Sequence, residues 1–122
     1  LNNLVSAGGL MLAVEALLVG KRMGLDPKQM NDILNVSTGR NNSTERKIEP
    51  FVLSGAFNSG FRLGLMAKDL RTAQSVSQAA AMAAPLSALC VSLANRAAEA
   101  LPPDADHTEV ARWIASELGE DF

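Results

Sequence analysis

The sequence has 122 residues, which is enough for one domain with a sizeable core. Apolar residues make up 48% and charged residues 20%, so a disordered or collagen-like chain is excluded. The net charge of −2 gives no reason to expect nucleic-acid binding, and the single cysteine excludes an internal disulfide and favours a reducing, cytoplasmic location. The 19 alanines and 17 leucines outnumber the 15 valines, isoleucines and threonines, which favours helix over sheet.

The first predicted helix covers residues 4–23 and is apolar on nearly every side. Gly24 ends it, and Lys21 and Arg22 complement its dipole. A membrane span is disfavoured because Glu15 interrupts the apolar run. We therefore expect a helix enclosed by the other helices and by a partner subunit, in a homodimer or higher oligomer.

Helix-start signals place the next two helices. Asp26, followed by proline, begins a second helix that ends at the Ser-Thr-Gly of residues 37–39. Its apolar face is formed by Met30, Ile33 and Leu34. A capping box at residues 42–45, Asn-Ser-Thr-Glu, begins a third helix. Pro50 predicts a break in that helix near Glu49, because proline disfavours helix at and before its own position.

The remainder of the chain predicts three more helices. A loop at residues 54–60 precedes a fourth helix at residues 63–82, whose inner face is formed by Met66, Leu70, Ala73 and Ala80. The fifth helix begins at Pro85, and its apolar stripe is formed by Leu86, Leu89, Cys90, Leu93 and Ala97. A capping box at residues 106–109 begins the sixth, with an inner face of Val110, Trp113, Ile114 and Leu118. The predicted fold class is one all-α domain of six helices with a long central apolar helix.

Charge is distributed unevenly along the chain. Residues 40–71 hold six basic and three acidic side chains, whereas residues 99–122 hold seven acidic side chains and one arginine. Any carboxylate or phosphate ligand is therefore expected at the middle stretch. A solvated basic face is the simpler interpretation of the same charges.

Other residues that could carry chemistry favour packing or surface positions. His107 is the only histidine, and we expect it on the surface in its capping box, with no metal site because no second ligand is near in sequence. Cys90 on its apolar stripe is expected to be a packing residue. Gly8 and Gly9 lie inside a predicted helix, so they favour close approach of another helix or a ligand over a phosphate loop.

Two segments resemble signatures of the β-hydroxyacid dehydrogenases. Residues 1–3, Leu-Asn-Asn, resemble the end of that family's Lys-x-x-Asn-Asn motif. Residues 60–70, Gly-Phe-Arg-Leu-Gly-Leu-Met-Ala-Lys-Asp-Leu, resemble its second signature, which ends in Lys-Asp-Leu. Residues 35–41 are similar to its Ser/Gly-rich loop. The resemblance covers residues 1–122 and is to the helical C-terminal domain of the 3-hydroxyisobutyrate dehydrogenase and tartronate semialdehyde (2-hydroxy-3-oxopropionate) reductase type.

The resemblance implies half of a two-domain enzyme. An N-terminal Rossmann domain, absent from this chain, would bind NAD or NADP, and the helical domain would close over a small hydroxyacid and build the dimer. The helical domain would resemble the C-terminal domain of 6-phosphogluconate dehydrogenase. The family's acid–base lysine would stand two residues before Leu1, so no catalytic residue is expected in this chain and the chain alone is expected to be inactive.

The resemblance also assigns binding residues. The substrate-binding residues would be Asn3, Asn2, Ser37 and Gly39. Lys68 would reach the nicotinamide side of the cofactor, although an exposed lysine paired with Asp69 stays an alternative. Lys47 is also basic but matches none of these motifs, so we expect it to be a solvated surface charge.

Two other functions stay open. A relative of 6-phosphogluconate dehydrogenase would carry Lys-x-x-His-Asn and a much longer helical domain, so Asn2 and the chain length disfavour it. A free-standing helical dimerisation or interaction module without catalysis is the alternative from a different class. The residue two positions before Leu1 distinguishes this module from the enzyme.

Overall fold

The computed structural model describes all 122 residues and contains helices without a β-sheet. The six α-helices are α1 (Asn2–Arg22), α2 (Pro27–Asn35), α3 (Asn42–Arg46), α4 (Leu63–Ala79), α5 (Pro85–Ala100) and α6 (Val110–Glu117). A π-helical segment (Ile48–Leu53) follows α3, and a 3₁₀ turn (His107–Glu109) leads into α6. The predicted all-α fold is confirmed, and the six predicted helices correspond to α1–α6.

Helix α1 is the centre of the domain and contacts each of the other five α-helices. Its buried residues are Ala7, Leu10, Met11, Ala13, Val14, Leu17, Leu18 and Gly20. By length and composition it is apolar enough to cross a membrane, but 44% of its most apolar window is buried inside this domain. The helix therefore packs as the predicted core helix along its buried side.

One narrow face of α1 is left uncovered. Val5, Leu12 and Val19 are 76%, 69% and 63% exposed, respectively. Their spacing of seven residues places them on one line along the helix, because seven residues make almost two full turns. The other helices thus enclose α1 incompletely.

Local capping signals place most helix starts correctly. Asp26 accepts a hydrogen bond from the backbone of Gln29 at 2.9 Å, and the capping box at Asp106 forms as predicted. The box before α3 begins one residue earlier than predicted, because Asn41 is the cap and Thr44 is its reciprocal partner.

Pro50 interrupts the α-helix as predicted, and the interruption takes the form of a π-helical segment. Helix α3 ends at Arg46, and a π-helical segment containing Pro50 replaces further α-helix. Helix α4 ends at Ala79, three residues before the predicted limit, and Ala81 adopts a left-handed φ of +52°.

The predicted apolar faces require correction. Ile33 of α2, Leu86 and Leu89 of α5, and Leu118 after α6 are exposed rather than inward, as is Ala80. The buried residues of α5 are instead Val91, Ala94 and Ala97. Periodicity identifies an apolar stripe, but the neighbouring helices decide which part of it is covered.

The adjacent glycines of α1, Gly8 and Gly9, allow close contacts. A Cβ on Gly8 would lie 3.3 Å from Cys90 Sγ, and one on Gly9 would lie 3.3 Å from Asn41 Oδ1. Cys90 is half-buried against this surface, and burial raises the pKa of its thiol. These contacts confirm that the small residues bring α1 close to its neighbours, and that Cys90 is a packing residue.

Candidate functional site

The two matched motifs meet at the beginning of α1. Asn3 Nδ2 donates a hydrogen bond to Asp69 Oδ2 at 2.7 Å, and Lys68 Nζ lies 3.1 Å from Asp69 Oδ1. Hydrogen bonds from Lys68 and Asn3 hold the pKa of Asp69 below its usual value. The structure therefore joins Asn3 and Lys68, which are 65 positions apart in the sequence, through one carboxylate.

The other predicted substrate-binding residues are Asn2, Ser37 and Gly39, and only Asn2 lies beside Asn3. Asn2 is exposed, and its Nδ2 donates to Asn3 Oδ1 at 3.3 Å. Ser37 and Gly39 lie in the exposed turn after α2, and neither lines a cavity that contains Asn3. Within this chain, the structure brings Asn2, Asn3 and Lys68 together and leaves Ser37 and Gly39 apart from them.

A cavity of about 360 Å³ opens on one side of Asn3. Its lining residues are Asn3, Ser6, Ala7, Asn42, Arg46, Lys47, Phe51, Ser59, Phe61, Met66 and His107. Asn3 and Ser6 are neighbours on one face of α1, because residues three apart lie about one turn along a helix. The lining contains two cationic side chains and no carboxylate.

Lys47 is not the solvated surface charge that the sequence predicted. It is half-buried on the cavity wall, and its Nζ donates to Ser6 Oγ at 3.0 Å. Burial lowers the pKa of Lys47, and attraction by Asp106 opposes that change only in part. The prediction was wrong because the segment after α3 packs against the beginning of α1, which brings together residues 41 positions apart.

His107 is also misplaced by the sequence prediction, since it is 5% exposed and lines the same cavity. Its Nδ1 lies 3.2 Å from the carbonyl oxygen of Phe61 and 3.0 Å from Ser59 Oγ, so Nδ1 carries the proton. Burial, reinforced by Lys47, lowers the pKa of His107 below its usual 6.5, so the ring is neutral near pH 7. Its Nε2 is then a buried acceptor without a partner.

Asp106 holds this wall of the cavity in place. It accepts hydrogen bonds from Ser59 Oγ at 2.9 Å, from the backbone of Gly60 and Phe61 at 2.8 and 3.2 Å, and from Thr108 Oγ1 at 2.6 Å. Burial alone raises the pKa of Asp106, but these hydrogen bonds outweigh it and hold the pKa below its usual value. The carboxylate thereby ties the loop before α4 to the start of α6.

Besides Lys47, sequence reasoning did not place Ser6, Ser59 and His107 at the cavity. A local signal existed for Ser6, which follows Asn3 by one helical turn at the polar end of an apolar helix. Ser59 and His107 gave no such signal, because their contact spans 48 positions of the chain.

A second cavity, of about 270 Å³, lies on the other side of Asn3. Its lining residues are Leu1, Asn2, Asn3, Asp69, Thr72, Ala73 and Val76. Lys68 lies beside Asp69, and 60% of its side chain is exposed, so its ammonium is accessible to a ligand approaching from outside the domain. The described helices include no strand followed by a glycine-rich loop, the arrangement that holds a dinucleotide pyrophosphate.

The family assignment follows from comparison with known proteins. Residues 1–114 match the family model described as NAD-binding of NADP-dependent 3-hydroxyisobutyrate dehydrogenase. The chain belongs to this family. The resemblance read from the Asn-Asn and Lys-Asp-Leu segments is thus confirmed, and NAD(P) is the cofactor of the family.

Curated relatives support the same assignment. The chain is 34% identical over 92 residues to 2-(hydroxymethyl)glutarate dehydrogenase of Eubacterium barkeri, covering 75% of this chain and 31% of that protein. It is 41% identical over 80 residues to mitochondrial 3-hydroxyisobutyrate dehydrogenase of Bos taurus, covering 60% of this chain and 24% of that protein. The chain therefore spans a third or less of the length of these relatives.

A solved structure has the same fold. Mycobacterium tuberculosis 3-hydroxyisobutyrate dehydrogenase, determined with L-serine, superposes with a TM-score of 0.80 at 26% sequence identity. The match covers 93% of this chain and 40% of that one. The helical domain described here is therefore an architecture found in a 3-hydroxyisobutyrate dehydrogenase.

Proposed function

We propose that residues 1–122 form the helical substrate-binding and dimerisation domain of an NAD(P)-dependent 3-hydroxyacid dehydrogenase, of the 3-hydroxyisobutyrate dehydrogenase or 2-hydroxy-3-oxopropionate reductase type. In this proposal an N-terminal Rossmann domain completes the enzyme, which works in the cytoplasm. The observation that carries the proposal is the contact of Asn3 with the Lys68–Asp69 pair between two cavities. A likeness to the helical domain of 6-phosphogluconate dehydrogenase is part of the same proposal.

The proposed chemistry uses a proton acceptor close to Asn3. The family's acid–base lysine would stand four residues before Asn3, which is one turn earlier on the same face if α1 continues past Leu1. A lysine whose pKa is lowered by burial can remove the hydroxyl proton of the substrate near neutral pH. The nicotinamide, when bound, accepts the hydride.

Asn3 is proposed to orient the substrate. Its Nδ2 donates to Asp69 and its Oδ1 accepts from Asn2, and these two contacts fix the plane of the amide. An amide held in this way can hydrogen-bond the hydroxyl or carboxylate of the substrate without adding charge. Asn2, Ser37 and Gly39 are proposed as further substrate contacts once the second domain closes the cleft.

Lys68 is proposed to contact the nicotinamide side of the cofactor. Its ammonium is bound to Asp69 at the surface, where it is free to make further hydrogen bonds. The pair also links the cofactor side of the site to Asn3 on the substrate side. Lys68 would therefore align the two reacting groups.

The exposed face of α1 is proposed as the dimer interface. Val5, Leu12 and Val19 form a line of apolar side chains that no other helix covers. Lines of apolar residues at seven-residue spacing favour helix pairing, and a second copy offers the same line. A homodimer or higher oligomer would bury it.

The test uses the intact two-domain protein with NAD and with NADP. We expect oxidation of small 3-hydroxyacids, such as 3-hydroxyisobutyrate, or reduction of their semialdehydes, with a preference for one cofactor. The helical chain alone is expected to be inactive, because it lacks the acid–base lysine and the Rossmann domain. If the intact protein binds neither cofactor and carries no lysine two residues before Leu1, the proposal is wrong and the dimerisation module replaces it.

A further inference from the structure

We propose that Lys47 recognises a second carboxylate on the substrate, so that the preferred substrate is a dicarboxylic hydroxyacid. The proposal rests on the proposed dehydrogenase function and names the substrate class for its site. It concerns the cavity on the Ser6 side of Asn3, which none of the matched motifs includes.

The first argument is the state of the Lys47 ammonium. Lys47 is half-buried and donates to the hydroxyl of Ser6 at 3.0 Å, but it forms no ion pair with any carboxylate of this chain. The hydrogen-bonding partner of Lys47 is neutral, and attraction by Asp106 offsets the loss of hydration only in part, so the ammonium is poorly compensated. Burial lowers its pKa for the same reason. An anionic group in the cavity would restore the missing compensation.

The second argument is the composition of the cavity wall. Arg46 adds another positive charge, and Asn42 and Ser59 add neutral hydrogen-bonding groups, while no carboxylate lines the cavity to repel an anion. Arg46 is exposed and forms no ion pair within the domain, since its neighbour Glu45 pairs with Arg40. The wall is therefore suited to a negatively charged group and unsuited to a cation.

The third argument is the charge balance of the lining. His107 is buried, its Nδ1 faces Phe61 and Ser59, and burial together with Lys47 lowers its pKa, so its ring adds no charge near pH 7. Its shielded Nε2 is an acceptor and is no contact for a carboxylate. Lys47 and Arg46 are therefore the charged side chains that an occupant of the cavity meets.

The fourth argument is position relative to the reacting group. Ser6 lies three residues after Asn3, or about 4.5 Å along α1 at the usual helical rise. The proposed acid–base lysine, one turn before Asn3, would lie toward the opposite end of α1 from Ser6. A substrate whose hydroxyl faces that lysine would extend past Asn3 and place a second carboxylate, separated by a short methylene chain, at Lys47.

Two ligands that lack the hydroxyl oxidised in the reaction test carboxylate binding at Lys47 directly. Glutarate and its monoamide differ by one negative charge at nearly equal size, and calorimetry on the intact protein measures both dissociation constants. We expect glutarate to bind at least about tenfold more tightly, as a charge-assisted hydrogen bond would give. Lys47→Met should remove that preference, and Lys47→Arg should retain it. Equal binding of the two ligands by the unmodified protein would overturn the proposal.

Turnover supplies the second measurement. For the intact enzyme, the ratio of kcat/KM for a dicarboxylic hydroxyacid to that for a monocarboxylic one should fall at least about tenfold in Lys47→Met, mainly through KM. Lys28→Met, an exposed lysine that lines no described cavity, is the matched control and should leave the ratio unchanged. Ser6→Ala should lower the ratio in the same direction, and it serves if Lys47→Met does not fold.

The outcomes separate the two proposals. A Lys47→Met enzyme with an unaltered ratio overturns the role of Lys47 and leaves the dehydrogenase function standing. An intact protein that oxidises no hydroxyacid refutes the dehydrogenase function and the substrate class with it. In that case the preference for glutarate still decides whether the cavity is an anion site.

Discussion

Asn3 and Asp69 are joined by a hydrogen bond of 2.7 Å that ties the first turn of α1 to α4. Asp69 also pairs with Lys68, so the residues of two separate sequence motifs share one carboxylate. Both contacts favour the ionised form of Asp69, whose pKa is accordingly lowered. The arrangement orients Asn3 and Lys68 relative to each other before any ligand binds.

Replacing Asn3 should impair catalysis more than replacing its neighbour. In the intact enzyme, Asn3→Ala should lower kcat/KM by about ten- to a hundredfold, because it removes the proposed hydrogen bond to the substrate, worth about 1.5–3 kcal/mol. Asn2→Ala should have a smaller effect, since Asn2 is exposed and contacts only Asn3. Steady-state kinetics on both variants checks the prediction. Equal losses would mean that the held amide of Asn3 has no special role.

Replacing Lys68 should weaken the cofactor side of the site. In the intact enzyme, Lys68→Ala should lower kcat/KM by about ten- to more than a hundredfold, the effect of losing one charge-assisted contact. Lys28→Ala is the matched control, because both lysines are exposed to a similar extent and both pair with a nearby carboxylate. A Lys68→Ala enzyme within about twofold of the control in kcat/KM and cofactor KM would identify Lys68 as a solvated helix lysine.

Asp106 should stabilise the domain in a pH-dependent manner. Its pKa in the folded protein is below 3.8, so its contribution is complete above that value and is lost as the pH falls through the folded pKa. Asp106→Asn should lower the free energy of unfolding near pH 7 by about 1–3 kcal/mol, because donors of the loop before α4 lose a charged acceptor. The variant should also lose less stability than the unmodified protein on acidification.

Denaturation curves at pH 7 and below pH 4 measure the effect of Asp106→Asn. Asp32→Asn is a suitable control, because Asp32 is exposed and pairs only with Lys28. A pH dependence of the Asp106→Asn protein equal to that of the unmodified protein would contradict the assignment.

The exposed line on α1 should control assembly. Leu12 is 69% exposed at the middle of that line, so Leu12→Glu should place a charge in the proposed interface and shift the intact protein toward monomer. Val36→Glu, at an apolar residue that is 86% exposed after α2, should leave the assembly unchanged. Light scattering over a range of concentrations distinguishes these states. A strict monomer for the unmodified protein would refute the proposed interface.

The sequence by itself determined the helical fold class and most helix boundaries. The caps at Asp26 and Asp106 and the break at Pro50 are local features, because each depends on hydrogen bonds or sterics within a few residues. The resemblance of the Asn-Asn and Lys-Asp-Leu segments also identified the family, since a motif is carried by neighbouring residues.

The tertiary structure alone decided which side chains are buried and which form the cavity. Lys47 meets Ser6 over 41 positions, and His107 meets Ser59 over 48, so no local pattern could place either residue. Leu86 and Leu89 are the opposite case, apolar residues that the periodicity predicts to be buried. They are exposed because no neighbouring helix covers that part of the stripe. Helix formation depends on contacts between near residues, whereas burial and site geometry depend on how whole helices pack around α1.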